Sequence, residues 1–240
     1  MPNPNEPSAG AINQSVQSKE ELQALLTKRT EELRLALAEV DQTFDLVVDA
    51  FGSALEAKDP ETRAHSARVC SFAIALCRAM GFPRHEIPTI ARGAVLHDIG
   101  TLAVPDAILT KPGKLTELEV AIMREHPVRG YQMVWRVPFL SDAAVIIRSH
   151  HEWWDGEGYP NGLKGKEISI GARIVAVAEA FDCICSDMPY RSAQPIASAW
   201  EEISHWSGRQ FDPQIVEVAV RIPEGLWSKL RESLAIPQTT

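Results

Sequence analysis

The stretch from Ala91 to Gly100 reads Ala-Arg-Gly-Ala-Val-Leu-His-Asp-Ile-Gly, and it places His97 and Asp98 side by side where an apolar helix is predicted to end. Other predicted helices, or their ends, carry four more histidines, which are His65, His126, His150 and His151. Burying so many imidazoles beside a carboxylate costs desolvation free energy without improving packing, and bound cations would offset that cost. We therefore expect a helical scaffold that holds two transition metals close together.

The overall composition predicts a globular protein with a sizeable core, because 45% of the 240 residues are hydrophobic. A formal net charge of −8 argues against broad nucleic-acid binding, which depends on clustered Lys and Arg. No stretch approaches the roughly 18 to 20 uninterrupted apolar residues of a membrane span, and the N-terminus lacks the pattern of a signal peptide. We expect a cytoplasmic protein that does not bind nucleic acid.

The cysteines give no indication of a metal or redox site. All four lie in apolar surroundings and none forms a pair with the spacing of a zinc site; they are Cys70, Cys77, Cys183 and Cys185. We predict buried, reduced thiols.

The chain divides into three predicted parts. Residues 1–18 are rich in Pro, Asn, Ser and Gln, which predicts a flexible lead-in. Residues 19–58 contain no Pro and have apolar side chains every three or four positions, which predicts one long amphipathic helix. Such a helix would extend about 60 Å at 1.5 Å per residue, so we expect its first half to pair with a second copy in a homodimer, through a coiled coil. The alternative is that it folds back on its own domain.

Residues 59–240 form the third part. Strand patterns are almost absent from it, which predicts an all-α domain. Thr116 and Glu119 have the spacing of a capping box that opens a helix before His126. Pro127 disfavours helical geometry at the residue before it, so His126 is predicted at a helix end. A later helix, from about Ile170 to Asp187, carries Glu179.

Imidazole and carboxylate ligands together suit iron, manganese or zinc, and they are typical of an open catalytic site rather than a structural one. A carboxylate such as Asp98 can bridge two ions about 3.5 to 4 Å apart, and a hydroxide held between such ions is available near neutral pH to attack phosphorus in line. The residues alone thus favour hydrolysis of a phosphoester.

Four motifs together resemble a known family. They are His97-Asp98-Ile-Gly, His126-Pro127, His150-His151-Glu-x-Trp-Asp155-Gly-x-Gly158-Tyr159-Pro160, and the stretch from Glu179 to Tyr190. Over about residues 56 to 220 the chain resembles the HD-GYP family of cyclic-di-GMP phosphodiesterases, within the HD superfamily of metal-dependent phosphohydrolases. The resemblance implies an HD-type helical bundle that hydrolyses cyclic di-GMP to linear pGpG, and onward to GMP.

The resemblance also implies a ligand set for two divalent ions, iron or manganese. It assigns metal binding to His65, His97, Asp98, His126, His150 and His151, with Asp98 bridging the ions and His97 and Asp98 at the catalytic centre. Glu179 stands where the family usually has aspartate, and it can still ligate. Glu61 precedes His65 by four residues on the same helix face, which leaves room for a third ion.

Substrate contacts are implied by resemblance as well. Gly158, Tyr159 and Pro160 form the family's characteristic loop, which is implicated in shaping the pocket and in contacting partner proteins of the same signalling system. The alternative is a loop that only connects two helices. Arg191 retains a basic position after the Pro-Tyr pair and is implied to contact phosphate.

Three basic positions of the family pattern are neutral in this chain: Thr101, Trp153 and Met188. Losing two charged hydrogen bonds to phosphate would weaken nucleotide binding by about 3 kcal/mol. Two alternatives to cyclic-di-GMP turnover therefore stay open. One is a metal-binding sensor module with weak or no catalysis, and the other is an HD hydrolase for another phosphoester.

Overall fold

A computed structural model describes the backbone of residues 9–58, 60–187 and 191–233, and the side chains of these residues except 9–18, 41, 60 and 61. The described residues form helices and connecting loops, with no strand among them. The α-helices are α1 (Ala9–Lys58), α2 (Pro60–Ala79), α3 (Ile87–Leu96), α4 (Asp106–Leu109), α5 (Glu117–Met123), α6 (His126–Val134), α7 (Ser141–Ser149), α8 (Ile170–Cys185), α9 (Ile196–His205), α10 (Pro213–Arg221) and α11 (Glu224–Glu232). Short 3₁₀ helices cover Ile99–Ala103, Pro138–Leu140 and Gly165–Glu167. The all-α prediction is confirmed.

The chain separates into two compact units, Met1–Val47 and Val48–Thr240. In the first unit α1 begins at Ala9, and residues 1–8 lie outside the described part. The flexible lead-in over residues 1–18 stays a prediction. No proline follows position 7 in this segment, and a helix extends readily once its nucleus has formed further along. Within the described residues, no helix is long and apolar enough to cross a membrane.

The second unit has two apolar cores. The larger is built mainly from α2, α8, α9, α10 and α11, where Phe72 and Phe181 meet edge to face at 5.0 Å between ring centroids. The smaller includes Leu96, Ile99 and Ile147, all fully buried. Helix α3 packs against α2, α7 and α8, so its C-terminal end lies among the elements that carry the other site histidines.

The capping box and the position of His126 at a helix end are confirmed, but His126 is itself helical, which Pro127 was expected to disfavour. Thr116 caps α5 by accepting from the Glu119 amide at 3.3 Å, and the Glu119 carboxylate accepts from the Thr116 amide at 2.7 Å. Helix α6 begins at His126 itself, with Pro127 in its first turn. Helix α3 ends at Leu96, so His97 is its C-cap residue.

Gly100 allows the segment after His97 to approach α6 closely. A Cβ on Gly100 would overlap the carbonyl oxygen of His126, and it would lie 2.5 Å from the amide nitrogen of Gly130. The backbones of α6 and of the 3₁₀ helix Ile99–Ala103 are in direct contact here, and only a residue without a side chain allows it. That contact brings the His97-Asp98 pair next to His126.

Candidate metal centre

The structure brings six of the predicted ligands together in two groups. One group contains His65, His97 and Asp98, and the other contains His126, His150 and His151. Within each group the candidate ligand atoms all lie within 4.8 Å of one another, which is close enough for three side chains to share one metal ion. The described residues include no cysteine in either group.

Asp98 connects the two groups. Its Oδ2 atom lies 3.3 Å from Nε2 of His97, and its Oδ1 atom lies 3.3 Å from Nε2 of His126 and 4.0 Å from Nε2 of His150. The Asp98 side chain is 23% exposed, whereas those of His97 and His150 are fully buried. The carboxylate therefore faces both groups and lies where the site opens to solvent.

Helix ends orient three of the histidine rings. His97, His126 and His150 each donate from Nδ1 to the carbonyl oxygen three residues earlier, at 2.7, 2.8 and 2.7 Å. These carbonyls, of Ala94, Met123 and Ile147, belong to the last turns of α3, α5 and α7, where backbone acceptors have no intrahelical partner. In the neutral form of each ring the proton is on Nδ1, and Nε2 then has its lone pair for a metal.

His65 is held differently, by side chains. Its Nδ1 lies 2.8 Å from Oδ2 of Asp182, and Arg68 donates to the same carboxylate from Nε at 2.6 Å and from Nη2 at 2.9 Å. Sequence reasoning missed both partners. The only indication was their spacing, because Arg68 follows His65 by three residues and Asp182 follows Glu179 by three.

A metal ion fits this arrangement. The Nε2 atom of His97 is buried, and no hydrogen-bond partner reaches it among the described residues. Oδ2 of Asp98 is near it, but not in the geometry of a hydrogen bond. Buried polar atoms without a partner are rare because they cost desolvation free energy, and a metal at this position would remove that cost. The six side chains can thus hold divalent metals.

The electrostatics of the site differ between the two groups. Burial lowers the pKa of His97, but the Asp98 charge outweighs it and raises this pKa to about 9. Burial lowers the pKa of His151 to about 3, helped by His126, and burial together with His151 lowers the pKa of His150. Burial would raise the pKa of Asp98, yet His97 and the neighbouring histidines hold it well below its usual range. His150 and His151 therefore offer neutral imidazoles, the form that binds metal.

Glu179 reaches the site without joining either group of three. It lines a cavity together with His150, His151, Glu152, Trp153, Ala176, Ala180 and Gln210. Burial raises the pKa of Glu179 to about 7, and the nearby Asp98 charge adds to this rise. The side chain of Glu61, predicted for a third ion, lies outside the described residues.

The Gly158-Tyr159-Pro160 loop folds onto the second group. The Tyr159 ring stacks on His151 at 4.8 Å between centroids, and the backbone amide of Tyr159 donates to the His151 carbonyl. The buried Glu152 carboxylate accepts from the amides of Asn161 at 2.7 Å and Leu163 at 3.0 Å. A Cβ on Gly158 would overlap the Trp153 amide nitrogen, so this position requires glycine. The loop thus forms part of the site wall, and its contact with substrate stays a prediction.

At two of the positions that depart from the family pattern, a neutral side chain contacts another part of the protein. The Thr101 hydroxyl donates to the Asp98 carbonyl at 2.8 Å, and Trp153 packs edge to face on Trp206 at 5.9 Å between centroids. Arg191 donates to the Cys183 carbonyl at 2.8 Å, so its guanidinium is engaged near the end of α8. Met188 lies outside the described residues.

Residues 50–215 match the protein family described as HD domain, which is more than half of the chain. The chain belongs to the HD-domain family. This match begins inside α1, nine residues before the predicted domain boundary at residue 59.

Similar curated proteins include three phosphodiesterases. The cyclic di-GMP phosphodiesterase of Thermotoga maritima is 38% identical over 200 residues, which are 82% of this chain and 54% of that protein. The response regulator RpfG of Xanthomonas campestris, a cyclic di-GMP phosphodiesterase, is 37% identical over 79% of this chain and 50% of its own length. The 3'3'-cGAMP-specific phosphodiesterase 2 of Vibrio cholerae is 36% identical over 76% of this chain and 35% of its own. The chain spans about half or less of the length of these relatives. Its sequence similarity to them confirms the resemblance to the HD-GYP type.

Solved structures of the same fold include two bacterial proteins. Bd1817, an HDG"Y"P protein from Bdellovibrio bacteriovorus, has a TM-score of 0.58 at 22% identity, covering 74% of this chain and 62% of that one. V-cGAP3 of V. cholerae, a cyclic GMP-AMP phosphodiesterase, also has a TM-score of 0.58, at 21% identity over 80% of this chain and 50% of that one. The HD-type helical bundle is thereby confirmed.

Proposed function

We propose that this chain is a metal-dependent phosphodiesterase that hydrolyses cyclic di-GMP to linear pGpG, with GMP as the product of a second cleavage. The observation that carries the proposal is Asp98, whose two carboxylate oxygens face two separate groups of histidines at 3.3 Å. Such an arrangement would suit two metal ions in a hydrolytic centre, which supports the proposal. The names of the similar phosphodiesterases support the same substrate class.

The ions we propose are iron or manganese. His65, His97 and Asp98 would hold one, His126, His150 and His151 would hold the other, Asp98 would serve both, and Glu179 would complete the set from α8. A third ion at Glu61 belongs to the same proposal. When bound, such ions activate water near neutral pH and neutralise charge that develops on phosphoryl oxygens.

The protein's own residues prepare the site for that chemistry. The carbonyls at the ends of α3, α5 and α7 fix the rings of His97, His126 and His150. These rings would therefore need little reorganisation to bind a metal. The stacked pair of His151 and Tyr159 forms one side of the site. The exposed edge of Asp98 leaves an entrance for a phosphodiester. Gly158, Tyr159, Pro160 and Arg191 are our proposed substrate contacts.

A second candidate function follows from the neutral positions. Thr101 is neutral, and its hydroxyl donates to the backbone carbonyl of Asp98. This position therefore offers no positive charge to a phosphate. This favours a different phosphoester, and 3'3'-cGAMP is the first to test, since three similar V. cholerae proteins are named as specific for it. It equally favours a metal-binding signalling module with weak turnover.

The test is turnover by the purified chain after anaerobic loading with Fe(II) or Mn(II). Cyclic di-GMP and 3'3'-cGAMP are incubated in parallel, products are separated by chromatography, and bound metal is measured by elemental analysis. We expect pGpG from cyclic di-GMP, loss of activity in His126→Ala, and unchanged activity in His85→Ala, whose side chain is 83% exposed. Full metal occupancy without product from either nucleotide would support the signalling module instead.

We also propose a homodimer through the first unit. Leu33, Leu37 and Val40 are 61%, 57% and 45% exposed there, and their spacing of four and three residues is that of a coiled-coil seam. In sedimentation experiments we expect a dimer that dissociates in the Leu33→Glu/Leu37→Glu variant. Leu118→Glu is the control, because Leu118 is 73% exposed on α5. A signalling partner at the Gly158-Tyr159-Pro160 loop and a cytoplasmic location remain predictions.

A further inference from the structure

Arg124 is an exposed cation at the edge of the candidate metal centre. It is the C-cap residue of α5, two positions before His126. The carbon at the centre of its guanidinium lies 5.1 Å from the centroid of the Tyr159 ring, and that ring stacks on His151 at 4.8 Å. Two ring contacts therefore link the guanidinium to the second group of ligands.

Several other basic residues of the chain are held by acceptors of the protein. Arg68 pairs with Asp182, Arg173 with Asp212, Lys111 with Glu119, and Arg129 with Glu125. Arg191, which is also a proposed substrate contact, has its Nη2 engaged by a backbone carbonyl. Among the residues that the structure describes, no carboxylate forms an ion pair with Arg124. Its charge is therefore not compensated locally.

The field of that charge reaches the site. The guanidinium of Arg124 and the ring of His151 both contact the Tyr159 ring, so the positive charge lies at the wall of the second group. An anion bound beside Tyr159 would thus be attracted by a cation that is already in place.

Stacking also suits the guanidinium for binding an anion. An arginine that lies over an aromatic ring uses its flat face for that contact, and its N–H groups, which point outward in the guanidinium plane, can donate to two phosphate oxygens. The usual cation beside the His-Asp pair is replaced by Thr101, whose hydroxyl is engaged, so a phosphodiester entering at Asp98 lacks that contact. Arg124 can supply a charge-assisted contact from another direction.

We infer that Arg124 binds a phosphate of the cyclic dinucleotide and takes over part of the role of the basic residues that this chain lacks. The inference rests on the proposed function, because it needs a cyclic dinucleotide as ligand. It makes Arg124 a substrate-binding residue that acts on affinity, with little effect on the chemical step. Mutation should accordingly raise KM and leave kcat nearly unchanged.

The experiment compares Arg124→Gln, Arg124→Lys and the unaltered chain. Dissociation constants are measured by calorimetry with a phosphorothioate analogue of cyclic di-GMP that resists hydrolysis, at low and high salt, alongside KM, kcat and metal content. In Arg124→Gln we expect binding about tenfold weaker at low salt, with a shallower salt dependence, because one charged contact to phosphate is lost. Arg124→Lys should recover part of the affinity, and metal content should not change.

Arg129→Ala is the matched control, because Arg129 is also an exposed arginine but is ion-paired with Glu125. It should bind the analogue as the unaltered chain does. If the unaltered chain binds and Arg124→Gln binds equally well, the inference fails while the proposed function stands. If the unaltered chain binds neither cyclic di-GMP nor 3'3'-cGAMP, both fail. A loss of affinity that Arg124→Lys does not restore, with unchanged salt dependence, would assign Arg124 a purely structural role at Tyr159 and overturn the inference.

Discussion

Nδ1 of His65 lies 2.8 Å from Oδ2 of the buried Asp182, so this ligand ring is oriented by a charged side chain. The rings of His97, His126 and His150 are oriented by backbone carbonyls instead. Burial would raise the pKa of Asp182, but hydrogen bonds from His65 and Arg68 hold it below its usual value. The carboxylate is therefore charged, and it makes Nε2 of His65 a stronger donor to a metal.

Replacing Asp182 with asparagine should weaken the metal site at His65. The Asp182→Asn variant keeps the side-chain shape but removes the negative charge, and loss of such a partner typically costs about 10- to 100-fold in metal affinity. We expect calorimetric titration with Mn(II) to show this loss for one class of sites only. Elemental analysis at limiting metal should find less metal bound per chain.

The control for Asp182→Asn is Asp212→Asn. Asp212 forms another buried ion pair with a residue of α8, Arg173, at 2.5 Å, but it does not contact any of the six candidate ligands. Asp212→Asn should lower the thermal stability and leave the Mn(II) affinity unchanged. Equal Mn(II) affinities in the two variants would show that Asp182 acts only through general stability.

The proton on His97 should compete with metal. Burial lowers the pKa of His97, but Asp98 and Glu179 raise it, with a net increase from 6.5 to about 9. In the metal-free protein this protonation stabilises the fold fully below pH 6.5, and the contribution is lost as pH rises from 6.5 to about 9. Metal affinity should change in the opposite sense and increase over the same interval, because the metal must displace the proton.

The measurement is thermal denaturation of the metal-free chain, together with Mn(II) titration, at several pH values in this interval. His97→Gln cannot carry the proton, so its stability should depend less on pH between 6.5 and 9. Metal affinity that is constant with pH in the unaltered chain would contradict the proposed coordination by His97.

The sequence was sufficient to predict the helical fold and the places of His97 and His126 at helix ends, because these follow from local rules. The full set of six candidate ligands was implied by the resemblance to a known family. The capping box at Thr116 determines where α5 begins, and Pro127 lies in the first turn of α6, which begins at His126. The apolar run before His97 likewise determines that it caps α3. In each case the preference is set by residues within one helical turn.

The partners of those ligands could not be predicted in the same way. Asp182 is 117 positions from His65, and no local pattern relates α8 to α2. The same holds for Arg124 and Tyr159, which meet only after the loop has folded onto His151. The start of α1 at Ala9 depends on propagation of the helix from the sequence that follows, which the polar composition of residues 9–18 does not show.

The cysteines should resist alkylation in the folded chain. Burial raises the pKa of Cys70 and Cys185 to about 11 and that of Cys77 to about 12, and burial also raises the pKa of Cys183. Because the thiolate is the reactive form, iodoacetamide at pH 8 should modify these thiols slowly until denaturant is added. Mass spectrometry over time provides the measurement. Rapid labelling of Cys77 under native conditions would contradict its burial.

Gly100→Ala should disrupt the contact that joins the two ligand groups. The added methyl group would overlap the His126 carbonyl oxygen, so the 3₁₀ helix and α6 must move apart. Overpacking against rigid backbone costs about 3 kcal/mol or more. We expect chemical denaturation to show this loss of stability. Metal loading of the fraction that stays folded should also fall, because Asp98 would move away from His126.

Gly52→Ala separates this steric effect from the general effect of adding a methyl group. Gly52 lies within α1, and no described atom outside its own helix backbone lies within 4 Å of an added Cβ. Alanine favours helix over glycine by about 1 kcal/mol, so this variant should be slightly more stable than the unaltered chain and bind metal equally well. If Gly100→Ala were as stable as Gly52→Ala and kept full metal binding, the close approach at Gly100 would not be what positions Asp98 between the two groups.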